Sequence, residues 1–203
     1  MKKHIVFDID GTILDTTEPL VISMQAALAA HGRHYHKNDL KVFMGITGMD
    51  ALERLKVDNP EEILHLWEEI LKDEAWRIVV YDGIAEAIMY LKEKGYSLGL
   101  VTSKSREELN DDWQRIPCRE YFTTVVCASD TELHKPNPAP LLKYLEKAGV
   151  SAEEVLYIGD SEYDMYCAGG AGIDFILAGW GAVNQNLPVK TVLTHPSELH
   201  NLL

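Results

Sequence analysis

Five short apolar runs, at residues 4–9, 97–102, 124–128, 154–158 and 173–177, are rich in Val, Ile, Leu and Tyr and bounded by Gly, Asp or Ser. Runs of this length with little polar alternation behave as strands buried on both faces, which calls for a parallel sheet. Parallel strands need crossovers rather than hairpins. The segments between them supply these: IAEAIMYLKEKG (84–95), PAPLLKYLEKAG (138–149) and YDMYCAGGAG (163–172) carry helical patterns, the first two ending in the glycine that stops a helix. The expected fold is α/β, a Rossmann-like parallel sheet core with helices on both faces. The tail from Thr191, TVLTHPSELHNLL, reads as a short edge strand followed by a capped helix.

One interval breaks the alternation. From residue 16 to 79 only helical periodicity is found, in LVISMQAALAAHG, NDLKVFMG, MDALERL and PEEILHLWEEILKDEAWRIV. A single crossover needs far fewer residues. The expected organisation is therefore residues 1–15 and 80–203 as the α/β core, and 16–79 as a helical insert above the C-terminal edge of the sheet.

At 203 residues and a formal net charge of −13, the chain is a poor match for nucleic acid or an anionic membrane. Its one basic cluster, HGRHYHK at 31–37, is short and isolated. No apolar stretch approaches a membrane span and no signal-peptide layout is present, so the expected location is cytoplasmic. Cys118, Cys127 and Cys167 have no metal-ligand spacing, and Cys127 and Cys167 read as small core residues.

In an open parallel sheet, ligands bind beyond the carboxyl ends of the strands. The first strand ends there in Asp8 and Asp10, the second in Thr102 and Ser103. The loop after the third holds Lys135, and the fourth ends in Asp160 with Asp164 beyond it. Asp8 and Asp10 share one side of an extended chain. Phosphoryl transfer gives each group a task. One carboxylate attacks phosphorus, and the other protonates the leaving alcohol and later activates water. Asp8 and Asp160 form a hard oxygen site suited to Mg²⁺. Lys135 and Thr102 hold phosphate oxygens, and Gly11 and Thr12 form a tight turn whose N–H groups face the anion. Ser161 and Asp164 also fit a capping box at a helix start.

FDIDGT (7–12), LVTS (100–103), KPNP (135–138) and GDSEYD (159–164) together resemble, in order and spacing, the four motifs of the haloacid dehalogenase-like hydrolases. The insert resembles that family's small helical cap. The resemblance implies Asp8 as nucleophile, Asp10 as acid/base, and Thr102 and Lys135 as phosphate ligands. It also implies Mg²⁺ held by Asp8, the Asp10 backbone carbonyl and Asp160, with Asp164 in support. DGTILDT and the GIT of the insert are most similar to the phosphoglycolate phosphatase and pyrophosphatase branch. Tyr81-Asp82, where relatives commonly have Pro after the aromatic, and Ala139, where an acid is usual, depart from the pattern outside the chemistry.

The reading that follows is a Mg²⁺-dependent phosphatase acting on a small phosphorylated metabolite. A phosphomutase similar to β-phosphoglucomutase, an inorganic pyrophosphatase and a non-catalytic regulatory module stand as alternatives. Within the insert, Gly45 and Thr47 form either a loop over the substrate or a helix–helix turn. Thr16 and Thr17 are hinge or cap residues. Arg33, His34, His36 and Lys37 read as a solvated loop, and Trp67 and Trp76 as packing residues.

Overall fold

The computed structural model describes residues 2–202; Met1 and Leu203, at the outer limits of the expected core, lie outside the described residues. Six strands form one parallel sheet: β1 (His4–Phe7), β4 (Ser97–Val101), β5 (Phe122–Val126), β6 (Val155–Gly159), β7 (Asp174–Ala178) and β8 (Val192–Leu193). Two further strands, β2 (Leu14–Asp15) and β3 (Val79–Val80), pair antiparallel with Leu14 opposite Val80. The helices are α1 (Thr17–Ala30), α2 (Lys37–Leu40), α3 (Gly48–Arg54), α4 (Pro60–Glu74), α5 (Ile84–Glu93), α6 (Arg106–Asp112), α7 (Ala139–Ala148), α8 (Glu162–Ala171) and α9 (Leu199–Leu202). None is long and apolar enough to cross a membrane.

The sheet order is β5-β4-β1-β6-β7-β8. The chain leaves β1 towards β4 and β5, then returns to the other side of β1 with β6. The order therefore reverses between β1 and β6, and a crevice opens there at the carboxyl ends.

The strands are apolar throughout because both faces are covered. Ile5, Phe7, Leu156 and Ile158 point to one side, where they meet Ile84, Ile88 and Leu91 of α5. Val6, Val155 and Tyr157 point to the other, against Leu141 and Tyr144 of α7 and Cys167 and Ala168 of α8. The two-residue period decides which side chain goes where, and each large side chain buried this way contributes about 1.5–3 kcal/mol. Gly99 in β4 lacks a side chain for a packing reason: a Cβ there would collide with the Tyr144 ring.

Between β2 and β3 all the regular structure is helical. Val21, Met24 and Leu28 of α1 pack on Ile63 and Trp67 of α4, with Leu52 of α3, as a separate apolar cluster. Tyr163, from α8, is the core residue that joins it. The β2–β3 pair, absent from the helical periodicity, closes the two chain crossings into this segment side by side. The third strand also begins two residues earlier than expected. Residues 128–130 form a 3₁₀ turn in which Asp130 accepts the Cys127 N–H, so the strand cannot extend to 128.

Candidate active site

Asp8 directly follows β1, and its N–H donates to the Ile158 carbonyl of β6 (2.9 Å), so the backbone ladder itself fixes its place at the crevice. Its carboxylate is buried, accepts the Ile9 N–H (2.7 Å) and lies 3.0 Å from Lys135 Nζ. Lys135 Nζ is also 2.7 Å from Asp164 Oδ1. Asp160, at the end of β6, is buried, and the Thr12 hydroxyl donates to its Oδ1 (3.2 Å). Asp8, Asp160 and Asp164 each offer a carboxylate oxygen within 4.8 Å of one another.

Such crowding has an electrostatic cost. Burial pushes the Asp8 carboxyl up to about 7, with Asp164 and Asp10 adding to the effect and Lys135 opposing it. Burial, then Asp164 and Asp8, hold Asp160 well above the usual carboxylate range. Burial alone would lower the Lys135 pKa, but Asp164 and Asp8 outweigh it and raise it. One ammonium thus faces three buried acids. A hard divalent cation suits that donor set, and Asp160 has an oxygen to give it, so the residues fit Mg²⁺.

Asp164 has less freedom. Its Oδ2 accepts from the Ser161 N–H (3.1 Å) and hydroxyl, completing the capping box that starts α8. Its Oδ1 accepts from the Tyr157 hydroxyl (2.8 Å) and faces Lys135. Helix capping and support of the site therefore coexist in one side chain.

Gly11 and Thr12 need a correction. Their N–H groups donate to the carbonyls of Leu14 (2.8 Å) and Ile9 (3.2 Å), closing the turn, and so do not face an anion. Gly11 instead has φ +73° against the Asp160 carboxylate, where any Cβ would clash. Thr12 serves through its hydroxyl. From behind, Trp180 Nε1 donates to the Thr12 carbonyl (2.9 Å), and Gly181 packs directly on the Gly11 carbonyl.

Thr102, buried at the end of β4, accepts the Lys104 N–H (3.2 Å). Ser103 borders the cavity, but its hydroxyl donates to the Gly45 carbonyl (2.8 Å) and ties the helical segment to the sheet edge. Gly45 thus lies over the site, whereas the Thr47 hydroxyl accepts the Asp50 N–H and caps α3. Thr16 holds the N-cap position of α1 without a side-chain cap bond. Arg33 donates to the Leu55 and Lys56 carbonyls, away from the site. Trp67 packs in the helical cluster and also lines the cavity, while Trp76 is exposed beneath Arg77.

Lys104 lies just outside the LVTS motif and belongs to none of the four. It is buried, with Nζ 3.0 Å from Asp10 Oδ1 and 2.9 Å from Asp112 Oδ2. Its position beside Thr102, in a loop ending at the Ser105–Glu108 capping box, was the available signal. Asp10 is thereby turned away from Lys135 and towards a cavity of about 50 Å³ roofed by α1, α4 and the Gly45 loop.

Residues 5–178 match the family model for haloacid dehalogenase-like hydrolases. The chain belongs to this family. The pyrophosphatase PpaX of Bacillus cereus (strain G9842) is 30% identical over 178 residues, which cover 87% of this chain and 82% of that protein. A Lactobacillus plantarum protein assigned as a phosphoglycolate phosphatase superposes with TM-score 0.90 at 29% identity, each chain covered in full. A Pseudomonas syringae hydrolase also gives TM-score 0.90, at 20% identity over all of this chain and 97% of its own, a likeness of fold. Membership of this hydrolase family agrees with the fold and motifs expected from the sequence.

Proposed function

We propose that this hydrolase is a Mg²⁺-dependent phosphatase that releases phosphate from a small phosphorylated metabolite by way of a phosphorylated Asp8. The supporting observation is the grouping of Asp8, Asp160 and Asp164 around Lys135 at the strand-order reversal, with Asp10 lining the adjoining cavity. Asp8 and Asp160 would hold the ion, together with the Asp10 carbonyl. When bound, Mg²⁺ supplies the positive charge that lets a carboxylate approach a phosphate dianion. Asp164 acts through Lys135, since both its oxygens already have donors.

In the first displacement an Asp8 oxygen bonds to phosphorus as the bond to the alcohol oxygen breaks, and Asp10 gives that oxygen its proton. In the second, Asp10 takes a proton from water, water oxygen bonds to phosphorus, and Asp8 is freed. Lys135 and the Thr102 hydroxyl hold the non-reacting phosphate oxygens in both steps. Residues 16–79 act as a cap domain on a core of 1–15 and 80–203. They keep water out during the first step and frame the leaving group. The acidic chain works as a cytoplasmic enzyme on free metabolites.

The test is phosphate release from p-nitrophenyl phosphate with Mg²⁺ and with chelator, followed by acid quench and peptide mass analysis of an Asp10→Asn variant. Metal-dependent release and phosphate on Asp8 are expected. No release with metal present, or label elsewhere, would overturn the reading. Isomerised sugar phosphate without free phosphate would mark a mutase instead.

A further inference from the structure

The charges around the cavity bear on what the substrate carries at its other end. The cavity next to Asp10 is walled by apolar side chains, among them Leu20, Phe43, Met44, Leu64, Trp67 and Leu71. Its remaining charged lining, besides Asp8 and Asp10, is Glu68 from α4, Glu108 from α6, and Lys104. Lys104 is the single cation that lines it among the described residues, and it is held between Asp10 and Asp112. Arg115, the next cation along that wall, is itself paired with Asp112 (3.0 Å).

A second cavity of about 490 Å³ continues outward from the first, sharing Glu68, Leu71, Lys104 and Glu108. Glu107, Asp111 and Lys72 line its outer part, where Lys72 is exposed one turn beyond Glu68 on α4. Carboxylates therefore outnumber free cations from the site to the groove mouth. Burial holds the Glu68 carboxyl above its usual range, and Glu108 and Glu107 push it the same way. His65 and Lys72 oppose this without cancelling it.

One anionic end of a substrate is provided for, by Lys135 and the ion at Asp8 and Asp160. A second anionic end would enter a partly desolvated space facing Glu68 and Glu108, where Lys104 is already paired and Lys72 stands out at the exposed mouth. An alcohol bearing hydroxyls or an ammonium would instead donate to those carboxylates while its carbon skeleton lay on the apolar wall.

On the phosphatase reading above, we propose that the leaving alcohol of this enzyme's substrate carries no negative charge and presents a hydroxyl or ammonium donor to Glu68 and Glu108. A second phosphate or a carboxylate is excluded. Phosphoglycolate and pyrophosphate, the chemistries attached to the names of its relatives, then fall outside its preferred range.

The purified full chain with Mg²⁺ would be assayed for kcat/KM on 2-aminoethyl phosphate, glycerol 1-phosphate, phosphoglycolate and pyrophosphate, with p-nitrophenyl phosphate as a generic ester. The two esters whose leaving alcohol bears no negative charge should exceed phosphoglycolate and pyrophosphate by about tenfold or more, as repulsion between an added anionic group and facing carboxylates at close range predicts. In Glu68→Gln, the ratio of 2-aminoethyl phosphate to phosphoglycolate should fall by about tenfold. Phosphoglycolate or pyrophosphate equalling or exceeding the others, or a ratio unmoved in Glu68→Gln, would overturn this proposal while leaving the phosphatase intact. Failure on p-nitrophenyl phosphate as well would overturn the phosphatase reading itself and this proposal with it.

Discussion

Lys104 Nζ lies 3.0 Å from Asp10 Oδ1 and so holds the carboxylate proposed as acid/base. Asp112, 2.9 Å away on its other side, shares the same buried ammonium. Burial alone would lower the Lys104 pKa, but Asp10 and Asp112 raise it, so it stays charged throughout the working range. Lys104→Met removes the cation and leaves two acids without it. Turnover should drop about 100-fold, the usual cost of a misplaced catalytic group. Denaturant titration should show a loss of about 3 kcal/mol for breaking a buried ion pair. Asp112→Asn, which leaves Asp10 its partner, should fall between this variant and the parent. Wild-type rates in Lys104→Met would remove Lys104 from the mechanism.

Asp8→Asn should separate chemistry from folding. The substitution removes a buried charge whose carboxyl is already pushed up to about 7, and Lys135 keeps Asp164 as its partner. Turnover is expected to vanish while the melting temperature at pH 8 holds or rises. Asp10→Asn should lower kcat by roughly 10²–10⁴-fold, the range for general acid–base catalysis. A melting curve in which Asp8→Asn has lost cooperativity would argue that the residue is structural.

The parts of the site legible in the chain were those that depend on strand ends. Asp8, Thr102 and Asp160 each follow an apolar run, and parallel pairing brings every such end to one edge. Side-chain pairings across loops were not legible. Lys104 reaches Asp10 because of how the turn before α6 folds, and no periodicity encodes that. The N–H groups of Gly11 and Thr12 are consumed by a turn whose closure depends on Leu14, Ile9 and the support of Trp180 from the turn after β7. Glu68 is one of many acids on an amphipathic helix, and only its place in the cavity wall with Glu108 of α6 sets it apart. The β2–β3 pair was too short to give a strand pattern, since two residues carry no alternation.

Metal and pH should act on stability together. Asp8 and Asp160 both have folded-state values above the ordinary 3.8. From about pH 4 to 7 the folded metal-free protein therefore keeps protons that the unfolded chain has released, and these groups make stability fall as pH rises through that window. Lys135 titrates far above it and contributes no slope there. Mg²⁺ takes the place of those protons, so its stabilising effect should be larger at pH 8 than at pH 5. At 100 times its Kd the ion should add about 2.7 kcal/mol. Thermal melts with and without Mg²⁺ at the two pH values test this, and an equal or reversed shift would contradict the assigned cation site.

Tyr163 ties the helical segment to the core and should tune closure rather than chemistry. Its hydroxyl donates to the Val42 carbonyl (2.7 Å), accepts from Arg54 (3.1 Å), and its ring lies 5.1 Å beneath the Arg54 guanidinium. Tyr163→Phe keeps the ring in its apolar cluster and removes both hydrogen bonds. Global stability should change by only about 1 kcal/mol, as for one partly exposed hydroxyl. The closed arrangement of the Gly45 loop over Ser103 loses one of its ties, so KM should rise about threefold to tenfold while kcat changes less than KM, since no reacting atom has moved. Hydrogen exchange of residues 42–46 should quicken in the same variant. A drop in kcat at constant KM would place Tyr163 at the reacting centre, which its contacts with Val42 and Arg54 do not support.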